Sequence, residues 1–158
     1  MANVYVETSI IGYLTSRSRE DVIFQARQQL TRIWWNGRRD QYEIVVSQLV
    51  LDEAGAGNEE AAAERLGLLD GIPLLDVTDP QIDPIADALL AAHLLPDKAR
   101  SDAMHVATAT VHRVDYLLTW NCKHIANAET LPGVYRLLTD MGYSPPLIVT
   151  PEEFSEYG

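Results

Sequence analysis

Residues 101–121 read SDAMHVATATVHRVDYLLTWN, and this stretch decides the fold class. Ser101 is a helix-capping residue type, Asp102 to about Arg113 forms a helix, and Tyr116 to Thr119 is a short β-favouring run closed by the polar Asn121. A helix that feeds an apolar strand is half of a crossover unit, and the chain repeats it in both directions. Upstream, Asn3 to Glu7, Tyr42 to Ser47 and Leu74 to Val77 are apolar strands, and Leu147 to Val149 is the last. After Ser18, Ile23, Ala26, Leu30, Ile33 and Trp34 recur at helical spacing until Asn36-Gly37. Ser47 caps a helix running to the Gly55-Ala-Gly57 break, and Asn58 caps an alanine-rich one ending at Gly71. Pro80 and Pro84 start a helix broken at Pro96; beyond Asn121 come a helical turn and a helix around Val134 to Met141. Strands alternating with helices predict a mostly parallel sheet covered on both faces, a three-layer α/β/α sandwich. Residues 1–150 form one domain in this reading and residues 151–158 a polar C-terminal tail.

The 158 residues carry 23 acidic and 12 basic side chains, a formal charge of −11 that repels nucleic acid and anionic membrane over the surface as a whole. The charge is uneven. Arg17 to Arg39 holds six arginines against two acids, whereas Asp40 to Asp97 holds thirteen acids and only Arg65. The first segment is therefore the place where an anionic partner would dock, if these are not simply solvated helix faces. A single cysteine, Cys122, excludes an internal disulfide framework and a multi-cysteine zinc site. With no basic stretch before the first apolar run and no membrane-length hydrophobic run, the expectation is a soluble cytoplasmic protein.

In an open parallel sheet, functional groups gather beyond the carboxyl ends of the strands. Those positions here are acidic or amidic: Glu7 ends the first strand, Asp52 and Glu53 follow the second, Asp102 opens the helix before the fourth, and Asn121 follows it. Carboxylates brought together repel unless a cation offsets them, and a set of hard oxygen ligands suits magnesium or manganese better than zinc. Each also has an ordinary reading. Glu7 can be a plain strand-end acid, Asp102 an acid favoured by a helix N-terminus, and Asn121 a cap; periodicity leaves open which of Asp52 and Glu53 faces the sheet edge.

Four segments in order, VYVETSIIGYL (4–14), SQLVLDE (47–53), SDAMHVATAT (101–110) and LLTWNCKHIAN (117–127), resemble the PIN-domain family, most closely the VapC-like toxins of type II toxin–antitoxin systems. The resemblance implies a PIN-like α/β/α fold and an Mg2+- or Mn2+-dependent endoribonuclease. The family's first three acids fall on Glu7, Glu53 and Asp102, which would hold the metal, and the fourth position falls on Asn121. Two departures stand out. Glutamate at position 7, where aspartate is common, adds a methylene, and asparagine at 121 keeps an oxygen but removes a charge. The resemblance further implies an RNA substrate, a product with 5′ phosphate and 3′ hydroxyl, a small antitoxin and a homodimer.

Around these residues, His105 and His124 follow Asp102 and Asn121 by three and can contact an acid or a phosphate, or simply pack beside the site. Thr119 can hydrogen-bond a carboxylate across the cleft. Lys98, Arg100 and Lys123 are the substrate-phosphate candidates, and Trp34 and Trp35 read as core or dimer-interface residues. The competing reading is a non-catalytic PIN-like binding or scaffold module that has drifted at Glu7 and Asn121.

Overall fold

The structure, a computed structural model, describes residues 1–154. Its centre is a five-stranded sheet of β1 (Asn3–Val6), β2 (Glu43–Ser47), β3 (Leu74–Leu75), β4 (Tyr116–Leu118) and β5 (Leu147–Val149), in the order β3-β2-β1-β4-β5. Every pairing is parallel. β1 lies in the middle with helices over both faces. Hence Val4, Tyr5 and Val6 are all fully buried, with none of the alternation of a half-exposed strand. Its register against β4 is clamped by reciprocal bonds: Asn3 N–H donates to Asp115 Oδ2 at 2.9 Å, and Asp115 N–H donates to Asn3 Oδ1 at 2.8 Å.

The helices are α1 (Thr8–Thr15), α2 (Val22–Gly37), α3 (Gln48–Ala54), α4 (Glu59–Leu69), α5 (Ile82–Ala91), α6 (Arg100–Val111), α7 (Leu131–Asp140) and α8 (Pro151–Phe154). α1 to α4 pack on one another with α8 against α2, while α5 packs on α6 and α7. Right-handed crossovers explain the two groups. Connections moving from β1 toward β3 lie over one face, and those moving toward β5 lie over the other. The expected three-layer α/β/α architecture is present, with a sheet that is wholly parallel.

The structure departs from the sequence reading in four places. β1 is followed at once by α1, a helix absent from the sequence reading, which places no element between Glu7 and Ser18. Glu7 caps α1 by accepting the Ser9 N–H at 3.1 Å, although glutamate is not a favoured cap type. Ser47 and Ser101 do not cap: α3 and α6 have no side-chain cap bond, and both hydroxyls bond elsewhere. β3 stops at Leu75 because Asp76 Oδ1 turns the chain, accepting the Thr78 N–H at 2.8 Å and its hydroxyl at 2.6 Å. Finally, the expected tail is structured through Phe154.

That last difference has an aromatic cause. Phe154 is only 9% exposed, stacks on Tyr42 with ring centroids 5.3 Å apart, and meets the Tyr116 ring edge-on at 4.6 Å. Arg38 Nη1 donates to the Phe154 carbonyl at 2.7 Å. Pro151 and Phe154 are thus buried in the fold, and the rest of the expected tail, 155–158, lies outside the described residues. Trp34 and Trp35 are buried in the same region, so they are core residues of the protomer.

Candidate metal-binding site

Connections leave β1 and β4 toward opposite edges of the sheet, so a crevice opens beyond their carboxyl ends. Glu7 stands at the end of β1 and Thr119 to Asn121 at the end of β4. The Glu7 carboxylate is 5% exposed, and its Oε1 accepts the Ser9 hydroxyl at 2.5 Å and the Thr119 hydroxyl at 2.6 Å. Ser9 Oγ in turn accepts the Trp120 N–H at 2.8 Å, and Thr119 Oγ1 accepts the Asn121 N–H at 2.9 Å. Two hydroxyls thereby tie the start of α1 to the end of β4. No lysine or arginine among the described residues pairs with this buried acid.

Glu53 reaches the same crevice from α3. Its Oε1 accepts the Thr8 hydroxyl at 2.8 Å and His105 Nε2–H at 2.5 Å, and its Oε2 accepts the Ser101 hydroxyl at 3.1 Å. Of the two acids that periodicity leaves open, Glu53 is the one facing the crevice, while Asp52 accepts from Gln48 Nε2 on its own helix at 2.9 Å. Ligand atoms of Glu7, Glu53 and His105 all lie within 4.8 Å of one another.

Behind Glu53 runs a fully buried relay. His105 Nδ1 meets the Tyr5 hydroxyl at 2.8 Å, which meets Ser47 Oγ at 2.7 Å. Burial by itself pushes the His105 imidazole toward neutrality, but its bond to Glu53 and the charges of Glu7, Glu53 and Asp102 outweigh burial and raise its proton affinity. Burial likewise pushes the Glu53 carboxyl up; the bond from His105, the imidazole charge and the Thr8 and Ser101 hydroxyls together hold it below its usual range. Burial keeps the Tyr5 phenol protonated well beyond its ordinary range.

Asp102 sits in the first turn of α6, outside the close triangle of Glu7, Glu53 and His105; its Oδ2 bonds His124 Nδ1 at 2.9 Å. Each histidine singled out by spacing therefore contacts an acid. Asn121 Oδ1 accepts the His124 N–H at 3.0 Å and shapes the turn that presents His124 to Asp102. Arg100 is committed to α5 through Asp87 at 2.7 Å and Asp83 at 3.6 Å, while Lys98 and Lys123 are exposed. Cys122 is partly buried beside Arg27.

The residues missed by sequence reasoning are Tyr5, Thr8, Ser9, Ser47 and Ser101. Four are hydroxyl residues at element ends, where capping is the ordinary reading, and only tertiary placement shows that they serve carboxylates or the relay. They also weaken the argument that such acids could not coexist without a cation, because each acid has its own donors. The donor set still fits a hard divalent ion: carboxylate oxygens from two elements, one of them a buried acid whose partners are all neutral donors.

The comparisons with known proteins add one finding. Among solved structures, the chain is similar to a chain of "VapBC2 from Rickettsia felis bound to a DNA fragment from their promoter", with a TM-score of 0.53 over 94% of this chain and 98% of that one. This is a PIN-like fold. At 13% sequence identity the likeness carries the fold alone. No protein-family model matches the chain, and no curated protein matches its sequence. Among the described residues, no helix of the PIN-like chain is long and apolar enough to cross a membrane.

Proposed function

We propose that the chain is a cytoplasmic, Mg2+- or Mn2+-dependent endoribonuclease acting as the toxin of a toxin–antitoxin pair. The observation that carries this reading is the convergence of Glu7 and Glu53 at the crevice between β1 and β4, with Glu7 buried and without a cationic side-chain partner among the described residues. Glu7, Glu53 and Asp102 would hold the metal, and His105 lies close enough to orient Glu53. Held there, a divalent ion would supply Lewis-acid polarisation of a phosphodiester and a more acidic bound water.

The chain's own residues divide the remaining work. Ser9 and Thr119 fix the Glu7 carboxylate, and His105, Thr8 and Ser101 fix Glu53, keeping it ionised as a ligand or proton acceptor. His124 restrains Asp102, and Asn121 sets the turn. The exposed Lys98 and Lys123 are the candidates for contacts to substrate phosphate, with Arg100 already paired. The choice of RNA over DNA and a homodimeric state rest on the family resemblance. An antitoxin partner is supported by the similar VapBC2 assembly.

The non-catalytic alternative is favoured by one feature: the hydroxyl and imidazole donors satisfy Glu7 and Glu53 by themselves. The test is cleavage of a mixed structured RNA in manganese, in magnesium and in excess chelator, with Asp102→Asn as control. Metal-dependent cleavage lost in the variant is the expected result. Absence of cleavage together with absence of manganese binding by calorimetry would assign the chain to the binding-module class.

A further inference from the structure

A chain of charge −11 that handles RNA needs a local surface where a strand can approach. Of the cations expected to serve, Arg100 is already occupied by Asp83 and Asp87. A hollow of about 280 Å3 next to the acidic crevice has the missing chemistry. It is lined by Ser9, Gly12, Tyr13, Ser16, Arg19 and Phe24. It begins at the candidate site itself, because Ser9 is the residue whose hydroxyl bonds Glu7.

We propose that this hollow is a nucleotide subsite: it receives one base or phosphate of single-stranded RNA next to the bond positioned at Glu7 and Glu53. The proposal rests on the nuclease reading for its substrate. Three features carry it. The first is an aromatic wall: the half-buried Tyr13, backed by the buried Phe24 ring with centroids 4.9 Å apart, and bases of any sequence stack on an accessible aromatic ring. The second is a fixed cation. The Arg19 guanidinium lies 4.5 Å from the Phe24 ring centre, and among the described residues Arg19 pairs with no carboxylate, so its N–H edges are available to a phosphate. It belongs to the one arginine-rich segment of an acidic chain.

The third feature is preorganisation. Gln28, 3% exposed, donates from Nε2 to the Tyr13 carbonyl at 3.0 Å and to the Ser16 carbonyl at 2.8 Å, which pins the end of α1 to α2. Gln25 Nε2 holds the Arg19 carbonyl at 2.5 Å. Gly12 leaves the middle of the hollow open, and a Cβ built there would meet no atom within 4 Å.

The experiment measures binding of a fluorescein-labelled, ten-nucleotide oligouridine by anisotropy, in magnesium and in chelator, at several salt concentrations. It compares the wild-type protein with Arg19→Ala, Arg19→Lys, Gly12→Leu and, as a remote control, Arg136→Ala. Arg19→Ala is expected to weaken binding by roughly five-fold or more and to lower the salt slope by about one, with Arg19→Lys restoring the slope but not the full affinity. Gly12→Leu fills the hollow from a helical position with free space, so it should weaken binding without lowering Tm. Equal affinity of Arg19→Ala, Gly12→Leu and Arg136→Ala would overturn the subsite, as would a wild-type protein that does not bind. If the oligonucleotide binds through Arg19 but RNA is never cleaved in either metal, the subsite stands and the nuclease reading falls.

Discussion

Tyr5→Phe removes one oxygen from the centre of the molecule and leaves the ring, with its edge-on contact to His105 at 5.8 Å, in place. That oxygen bridges His105 Nδ1 at 2.8 Å and Ser47 Oγ at 2.7 Å, and all three residues are fully buried. Two polar atoms would lose their partner where water cannot replace it. An unsatisfied buried group costs about 1–3 kcal/mol, so with some rotation of the serine hydroxyl the loss should be about 2–4 kcal/mol. At about 2–4 °C per kcal/mol for a domain of this size, Tm should fall by roughly 5–15 °C. Urea denaturation of Tyr5→Phe, Ser47→Ala and the double variant tests the reasoning. The double variant removes both ends of one bond and should cost less than the sum of the singles by at least about 0.5 kcal/mol. A Tyr5→Phe protein within about 0.5 kcal/mol of wild type, or strictly additive variants, would mean that the relay contributes nothing as a unit.

Two further outcomes follow from neighbouring features. Because Glu53 is held below the usual carboxylate range, its contribution to stability is present above the unfolded carboxylate value and is lost as pH falls through the lowered one. The urea-midpoint gap between wild type and Glu53→Gln should be widest near neutrality and close below about pH 4; a gap constant with pH would contradict the assigned shift. Phe154→Ala empties a site shared with Tyr42 and Tyr116 and should cost about 3–5 kcal/mol, read by thermal melting, whereas a loose tail would give no change.

The strands and the parallel sheet were legible because buried parallel strands are short apolar runs bounded by polar residues, as at Val4 to Val6 and Tyr116 to Leu118. The carboxyl-end rule points to Glu7, to Asp52 and Glu53 without choosing between them, to Asp102 and to Asn121, with Glu53 preferred only by the resemblance; Thr119 bonds a carboxylate across the cleft, as expected. What escaped was the use of serine. Ser47 and Ser101 sit where caps are expected, and the local rule gives way to Tyr5 and Glu53, which are distant in sequence. α1 escaped for the converse reason: its cap is a glutamate singled out for its charge. Spacing set His105 on the face of Asp102 but could not show that the histidine, rather than the aspartate, closes the triangle with Glu7 and Glu53.

The middle position of β1 has a consequence for the birth of the protein. Its neighbour β4 pairs Val4 with Tyr116, and Glu7 receives the Thr119 hydroxyl across 112 residues of chain. No local folding event can form this contact, and the loop-closure entropy of the whole span from β1 to β4 must be met before the two strands pair. A nascent chain that has not yet released Thr119 therefore holds Glu7 without that donor and without the far wall of its crevice. The candidate site is assembled only after β4 has been made, so premature termination before β4 yields fragments in which the acids never meet their full complement.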